Sequence, residues 1–286
     1  MEEITNIDML QPIKTIEISK IIKETTTKGS APLLTYGIDD NTYFVKTTAQ
    51  KNPSAEIINE LLCAYFAQCW SLHVPEFCLA TISKETVDNY VQDMGKLSGF
   101  YSPDFYENTL FGSKQIWSAT ELDQFINISN KRELKLFSNP VDFLKIGAFD
   151  LWVGNKDRRP ENPNVLIGNE TGLFDFHPID HAAAFAYLTN YKEVREVLLH
   201  IEPKNCILST ILAKTISSFV THEDIENLKN DINDCISNTI ENLDFIFDQV
   251  PDSWGLSKKS KVHLKAFFSD KARNKTIIEH FLSYLK

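Results

Sequence analysis

One stretch limits what this chain can fold into more than any other. It runs Phe149-Asp150-Leu151-Trp152-Val153-Gly154-Asn155-Lys156-Asp157-Arg158-Arg159-Pro160-Glu161-Asn162-Pro163-Asn164-Val165-Leu166-Ile167, and Phe174-Asp175-Phe176-His177-Pro178-Ile179-Asp180-His181 follows it. Ionisable and polar residues sit between apolar runs. Asp157 followed five residues later by Asn162, then by an apolar strand, puts a carboxylate and an amide oxygen on one loop. The carboxylate can accept a hydroxyl proton while the amide holds a cation. Asp180 ends an apolar run able to pair as a hairpin with Val165 to Ile167, which would return a second carboxylate to the same mouth. Mg²⁺ takes few protein oxygens and completes its shell with substrate phosphates, so one Asp and one Asn oxygen form a plausible protein share. These residues read as a phosphoryl-transfer site.

Composition narrows the partners. With 286 residues, 43% of them apolar, and only 10 glycines, the chain can bury a large core, and two units are expected. Its net charge of −10 and sequence pI of about 5.2 leave little counterion release to drive binding to phosphate backbones, so direct nucleic-acid binding is not expected. Five cysteines, an odd number with no C-x-x-C pair, suit free thiols in a reducing compartment. The start Met-Glu-Glu-Ile-Thr lacks a secretory pattern and no run approaches a membrane span, so the expected location is cytoplasmic, away from membranes. Sequons such as Asn127-Ile128-Ser129 then carry no glycan.

A strand-rich beginning gives way near residue 95 to a helix-rich remainder. Leu33 to Tyr36 and Thr42 to Lys46 read as strands around the turn Gly37-Ile38-Asp39-Asp40-Asn41. A helix is expected from an N-cap at Ser54, after Pro53, to about Trp70, with Glu56 and Glu60 on its polar stripe. Extended segments are expected at Glu76 to Ile82 and around Val87 to Val91. Beyond residue 105, a helix from Asn139 to Phe149 leads into Leu151-Trp152-Val153. Thr221-His222-Glu223-Asp224 resembles a capping box opening a long helix with Ile225, Leu228, Ile232, Ile236, Ile240 and Leu243 on its core face.

Lys46 at a strand end and Glu60 on the next helix suit a lysine that reaches nucleotide phosphates and a glutamate that orients it. Thr25-Thr26-Thr27-Lys28-Gly29-Ser30-Ala31 offers backbone N–H groups to cover phosphates. Singly, Lys46 and Glu60 also read as solvated surface charges, and Asp157 with Asn162 as loop chemistry. Joint occurrence in this order favours the site.

With these residues in view, the chain resembles the HipA-like kinases, within the broader group that includes protein kinases, aminoglycoside phosphotransferases and phosphoinositide kinases. The resemblance is carried by Lys28-Gly29-Ser30 through Phe44-Val45-Lys46, Asn59-Glu60-Leu61-Leu62 through Val74-Pro75, Gly154 through Asn162, and Ile179-Asp180-His181. It implies an α+β, two-lobed protein-kinase-like fold. Residues 1–95 would form an N-lobe with the nucleotide loop, a sheet and the Lys/Glu helix, and residues 96–286 a mainly helical C-lobe with the catalytic loop and metal-binding Asp. It also implies an ATP- and Mg²⁺-dependent transfer to a hydroxyl, of a protein Ser or Thr in the first instance. Lys46 resembles the ATP-phosphate lysine, Glu60 its helix partner with Glu56 as fallback, Asp157 the catalytic Asp, and Asn162 and Asp180 the metal ligands. Lys28, Gly29 and Ser30 resemble the nucleotide loop, with Ser30 a candidate for autophosphorylation.

The pattern departs from protein kinases in two places: Asp180 is followed by His181-Ala182, and the catalytic loop lacks His-Arg-Asp. Activation-loop control of the usual kind is therefore not expected. The chain is short for the extra N-terminal subdomain of full-length HipA toxins, so a toxin role and an antitoxin-like partner are raised by the resemblance alone. A nucleotide-binding pseudokinase that regulates a partner, and a drug or lipid kinase of the same fold, are the rival readings. For His177 and His181, a zinc site on a helix is disfavoured because Pro178 keeps His177 extended. Arg158 and Arg159 orient Asp157 or contact phosphate, or else form a solvated basic loop. The four tryptophans read as core or interface anchors.

Overall fold

The computed structural model describes residues 10–25, 32–46, 55–95, 97, 106–122, 128, 130–169, 172–187, 191, 194 and 205–285. Lys28, Gly29 and Ser30 lie outside the described residues, as do Pro53 and Ser54. The fold is α+β, with strands concentrated in the first part and helices in the remainder.

Five strands close into a barrel in the order β1-β2-β3-β5-β4, with β1 at Thr15–Glu24, β2 at Leu33–Gly37, β3 at Thr42–Lys46, β4 at Phe77–Ile82 and β5 at Leu110–Lys114. The expected hairpin is present, Leu33 pairing with Val45 and Tyr36 with Thr42. Asp39 organises its loop, accepting from Tyr43 Oη at 2.6 Å and from Asn41 N at 3.3 Å. Closure comes from a parallel pairing of β1 with β4. Ile18, Ile21, Leu33, Tyr43, Val45, Cys78, Ala80 and Ile82 fill the interior. The barrel takes its last strand from beyond residue 95, so the strand-rich part runs on through Lys114.

Helix α1, Ala55–Cys69, lies between the barrel and the helical part and is buried on nearly every side. Its burial exceeds the expected amphipathic pattern: Glu56 is exposed, whereas Glu60 is buried. The strand expected around Val87 to Val91 is instead part of helix α2, Lys84–Met94. Ser83 caps it by accepting from Thr86 N at 3.1 Å, and Gly95 ends it at φ 85°. Val87 and Tyr90, three residues apart, bury on one face against the barrel. That helical spacing and the two caps outweigh the β propensity of the isolated valines.

After the short strand β6 (Thr120–Glu121) and helix α3 (Lys131–Leu134), helix α4 runs from Asp142 to Val153 and ends on Gly154 at φ 69°. The strands β7 (Val165–Gly168) and β8 (Asp175–Pro178) form the expected hairpin, with Val165 opposite Pro178, and β6 adds to its edge. Helices α5 (Ile211–Ser217), α6 (His222–Asp248), α7 (Lys258–Phe268) and α8 (Lys271–Ser283) complete the chain. The capping box of α6 is present: Asp224 N donates to Thr221 Oγ1 at 3.1 Å and Thr221 N to Asp224 Oδ2 at 2.7 Å. One continuous core joins α1, α4, α6 and α8, with Trp70 packed on Phe149 and Trp152, and Phe66 on Phe268. Trp254 is also buried, but Trp117 is exposed. All five cysteines are free and buried. Among the described residues, no helix is long and apolar enough to cross a membrane.

Candidate active site

Three elements bring Lys46, Glu60 and Asp180 together. Lys46 is the last residue of β3, Glu60 lies on α1, and Asp180 follows β8 after Ile179. Lys46 Nζ donates to Glu60 Oε1 at 2.5 Å and to Asp180 Oδ1 at 2.8 Å. One ammonium thus serves two carboxylates. Burial alone would depress the Lys46 pKa, but the charges of Glu60 and Asp180 outweigh it and raise it, so the lysine stays protonated. The same ammonium holds the Asp180 carboxyl down to about 2 against the desolvation it meets. Glu60 moves the other way, because its burial outweighs the attraction of Lys46. The Glu56 fallback, one turn earlier on α1, is exposed.

Asp157 and Asn162 stand on the loop between α4 and β7. Reciprocal backbone bonds between Arg159 and Asn162, at 3.1 and 3.0 Å, fold Arg159-Pro160-Glu161-Asn162 into a tight turn. That turn returns the Asn162 side chain, whose Nδ2 donates to Asp157 Oδ2 at 2.9 Å. Asn164 Nδ2 approaches the same oxygen at 3.5 Å, and Asp157 N donates to Asn155 Oδ1 at 3.2 Å. One oxygen of the Asp157 carboxylate is therefore held by two amides, while Asn155 fixes its backbone. With the Asn162 nitrogen directed at Asp157, its amide oxygen remains for a hard cation. Asp180, about a third exposed, offers a carboxylate of the kind Mg²⁺ takes alongside substrate oxygens. This donor set fits the ion.

Arg158 joins the two halves of the site. Its guanidinium is fully buried, forms an ion pair with Asp150 of α4, and donates to Ile179 O at 2.7 Å and Asn164 O at 3.3 Å. Neighbouring residues of Asp157 and Asp180 are thereby held on one planar group. Of the two readings offered for this arginine pair, the solvated one fails for Arg158, while Arg159 is exposed. Asp150, unsuspected in the sequence reading, is the partner that Arg158 requires. A carboxylate within the apolar run Phe149-Asp150-Leu151-Trp152 was its signal, since a charge there must find a buried counterpart. Burial pushes the Asp150 carboxyl up to about 7, with Arg158 and Asn155 opposing, and its Oδ2 has no hydrogen-bond partner.

His177 and His181 do not share a helix. His177 is buried in β8 with its ring 5.9 Å from that of His73, whereas His181 is buried edge-on against Phe149. Burial drives the His181 pKa well down, so its ring is neutral, and its backbone N–H donates to Glu60 Oε2 at 3.1 Å. Asn59, which in the sequence is only the residue before Glu60, is buried and holds the chain just after Asp180.

Comparison with solved structures finds a similar fold in a Helicobacter pylori structure titled as the proinflammatory kinase CtkA. The TM-score is 0.51 at 14% identity, over 96% of this chain and 98% of that one. No curated protein matches this sequence. The family model described as HipA-like kinase matches residues 18–279, and the chain belongs to the HipA-like kinase family.

Proposed function

We propose that the protein is an ATP- and Mg²⁺-dependent kinase that transfers the γ-phosphoryl group to a hydroxyl, in the first instance of a protein Ser or Thr. The observation that carries this reading is the single Lys46 ammonium held by both Glu60 and Asp180, next to a loop that presents Asp157. Bound Mg²⁺-ATP supplies the phosphoryl group and neutralises charge developing on it.

The chain's own residues do the rest. Lys46, kept protonated by two acids, meets phosphate oxygens, and Glu60 fixes the direction from which it does so. Asn162 and Asp180 would hold the cation. Asp157, its carboxylate held by Asn162 and its backbone N–H by Asn155, accepts a hydrogen bond from the incoming hydroxyl and aligns it for in-line attack. In this reading the barrel side forms an N-lobe and the helical side a C-lobe, with nucleotide between them. The nucleotide loop includes Lys28, Gly29 and Ser30, and Ser30 is the candidate site of self-modification. A toxin role with an antitoxin-like partner, and a cytoplasmic location, rest on the sequence reading alone.

The test is mass spectrometry of the purified chain and of candidate acceptors after incubation with ATP and Mg²⁺. Phosphate on Ser or Thr of the chain or of a protein acceptor supports the proposal. Phosphate only on a small molecule makes this a drug or lipid kinase, and nucleotide binding without any transfer makes it a pseudokinase.

A further inference from the structure

Asn59 commits its side-chain NH₂ group to one short segment of the site. Buried beside Glu60, its Nδ2 donates to Ala182 O at 2.9 Å and to Ala184 O at 3.0 Å. Its Oδ1 accepts from Tyr191 Oη at 2.6 Å, which fixes which end of the amide faces the two carbonyls. Tyr191 is itself buried and also reaches Ala55 O, at 3.2 Å, on the first turn of α1. Glu60 adds the bond from His181 N to its Oε2 at 3.1 Å. Two consecutive residues of one rigid helix therefore hold positions 181, 182 and 184.

The segment they hold is bounded by backbone strain. Asp180 at φ 59° and Phe185 at φ 57° both occupy the left-handed region without being glycine. Such conformations persist where surrounding contacts over-determine them, and they concentrate at functional sites. The direction of the Asp180 carboxylate depends on its own backbone angles, and the clamp is built on the residues that follow it. Asp180 has no glycine after it to absorb a change.

We propose that Asn59 is a positioning residue that sets the Asp180 carboxylate for the cation, through the carbonyls of Ala182 and Ala184, with Tyr191 orienting its amide. This rests on the kinase reading given above. Loss of the amide leaves two carbonyls without their donor and releases the strained segment. The metal requirement then rises, while Lys46 and the barrel still bind nucleotide.

The experiment compares wild type, Asn59→Leu, which keeps the volume, and Tyr191→Phe, which removes one hydroxyl. Three quantities are read: the Mg²⁺ concentration giving half-maximal phosphoryl transfer at saturating ATP, ATP affinity in EDTA, and Mn²⁺ affinity of the ADP complex by electron paramagnetic resonance. In Asn59→Leu the Mg²⁺ midpoint and the Mn²⁺ dissociation constant rise about tenfold, and in Tyr191→Phe about threefold, as expected for lost buried hydrogen bonds. Metal-free ATP affinity stays within about twofold. Unchanged Mg²⁺ and Mn²⁺ values in the variants overturn the proposal, and if Asn59→Leu does not fold, Tyr191→Phe decides it. If wild type transfers no phosphate, the kinase reading fails, and the Mn²⁺ comparison, which needs no turnover, still judges the clamp.

Discussion

Lys46 Nζ lies 2.8 Å from Asp180 Oδ1 although 134 positions separate the two residues in the chain. No local preference produces such a contact; it follows from closing the barrel, seating α1 against it and turning the β7–β8 hairpin back to the same place. Replacing Lys46 by Met removes the charge that depresses Asp180 and leaves Glu60 buried without its cation. We predict that kcat/KM for phosphoryl transfer falls about 100-fold or more, the scale seen when one preorganised donor is removed from a transition state. Steady-state kinetics at saturating Mg²⁺ checks it, and an unchanged kcat/KM contradicts the assignment.

Arg158→Met should destabilise the fold by about 3–5 kcal/mol, because removing one partner of a buried pair strands the other. Asp150, Ile179 O and Asn164 O all lose their shared donor. Denaturant unfolding measures the loss. A change below about 1 kcal/mol, with activity retained, would show that the guanidinium does not organise the loop.

The Asp150 carboxyl gives a pH dependence with a definite sign. Its folded pKa of about 7 lies above the ordinary carboxylate value, so between about pH 4 and 7 the folded chain keeps a proton that the unfolded chain releases. The stability it contributes is present below about pH 4 and lost as pH rises through about 7. The stability of wild type relative to Asp150→Asn should therefore fall by up to about 1.4 kcal/mol per pH unit across that window and level off above it. Urea unfolding of both proteins at a series of pH values tests this; a difference that is the same at about pH 5 and pH 8 contradicts it.

Gly147 lies on α4, three residues before Asp150, where an added Cβ would overlap the Leu208 side chain. Gly147→Ala should cost about 1–3 kcal/mol through overpacking. Combining it with Leu208→Ala should cost less than the two separate changes together, since the cavity left by one accepts the methyl of the other. Additive losses in thermal unfolding would show that the two residues do not share that space.

The parts of the fold legible in the sequence were those with local signals. The Gly37-to-Asn41 turn between alternating strands, the Thr221–Asp224 cap and the apolar run before Asp180 each announce their element, and each is present. Strand β1 escaped because two irregularities in its pairing with β2, between Ile18 and Lys20 and between Ile21 and Lys23, break the period of two. Helix α2 was misread because two valines in a short window favour a strand until the caps at Ser83 and Gly95 are weighed. In the site, spacing singled out Lys46, Glu60, Asp157, Asn162 and Asp180, whose side chains the structure now places. Asn59 was hidden because its partners are backbone carbonyls and a tyrosine 132 residues away, which leave no spacing to read, whereas Asp150 left a signal, its charge inside an apolar run eight residues before Arg158.

The measurement closest to the central claim is transfer of labelled γ-phosphate from ATP in the presence of Mg²⁺, by wild type and by Asp157→Asn, a nearly isosteric change on a loop held by Asn162 and Asn155. The account predicts labelled acceptor or labelled chain with wild type, and a rate lower by about 1,000-fold in the variant, within the range attributed to a positioned acid–base group. Equal incorporation by the two proteins would contradict it.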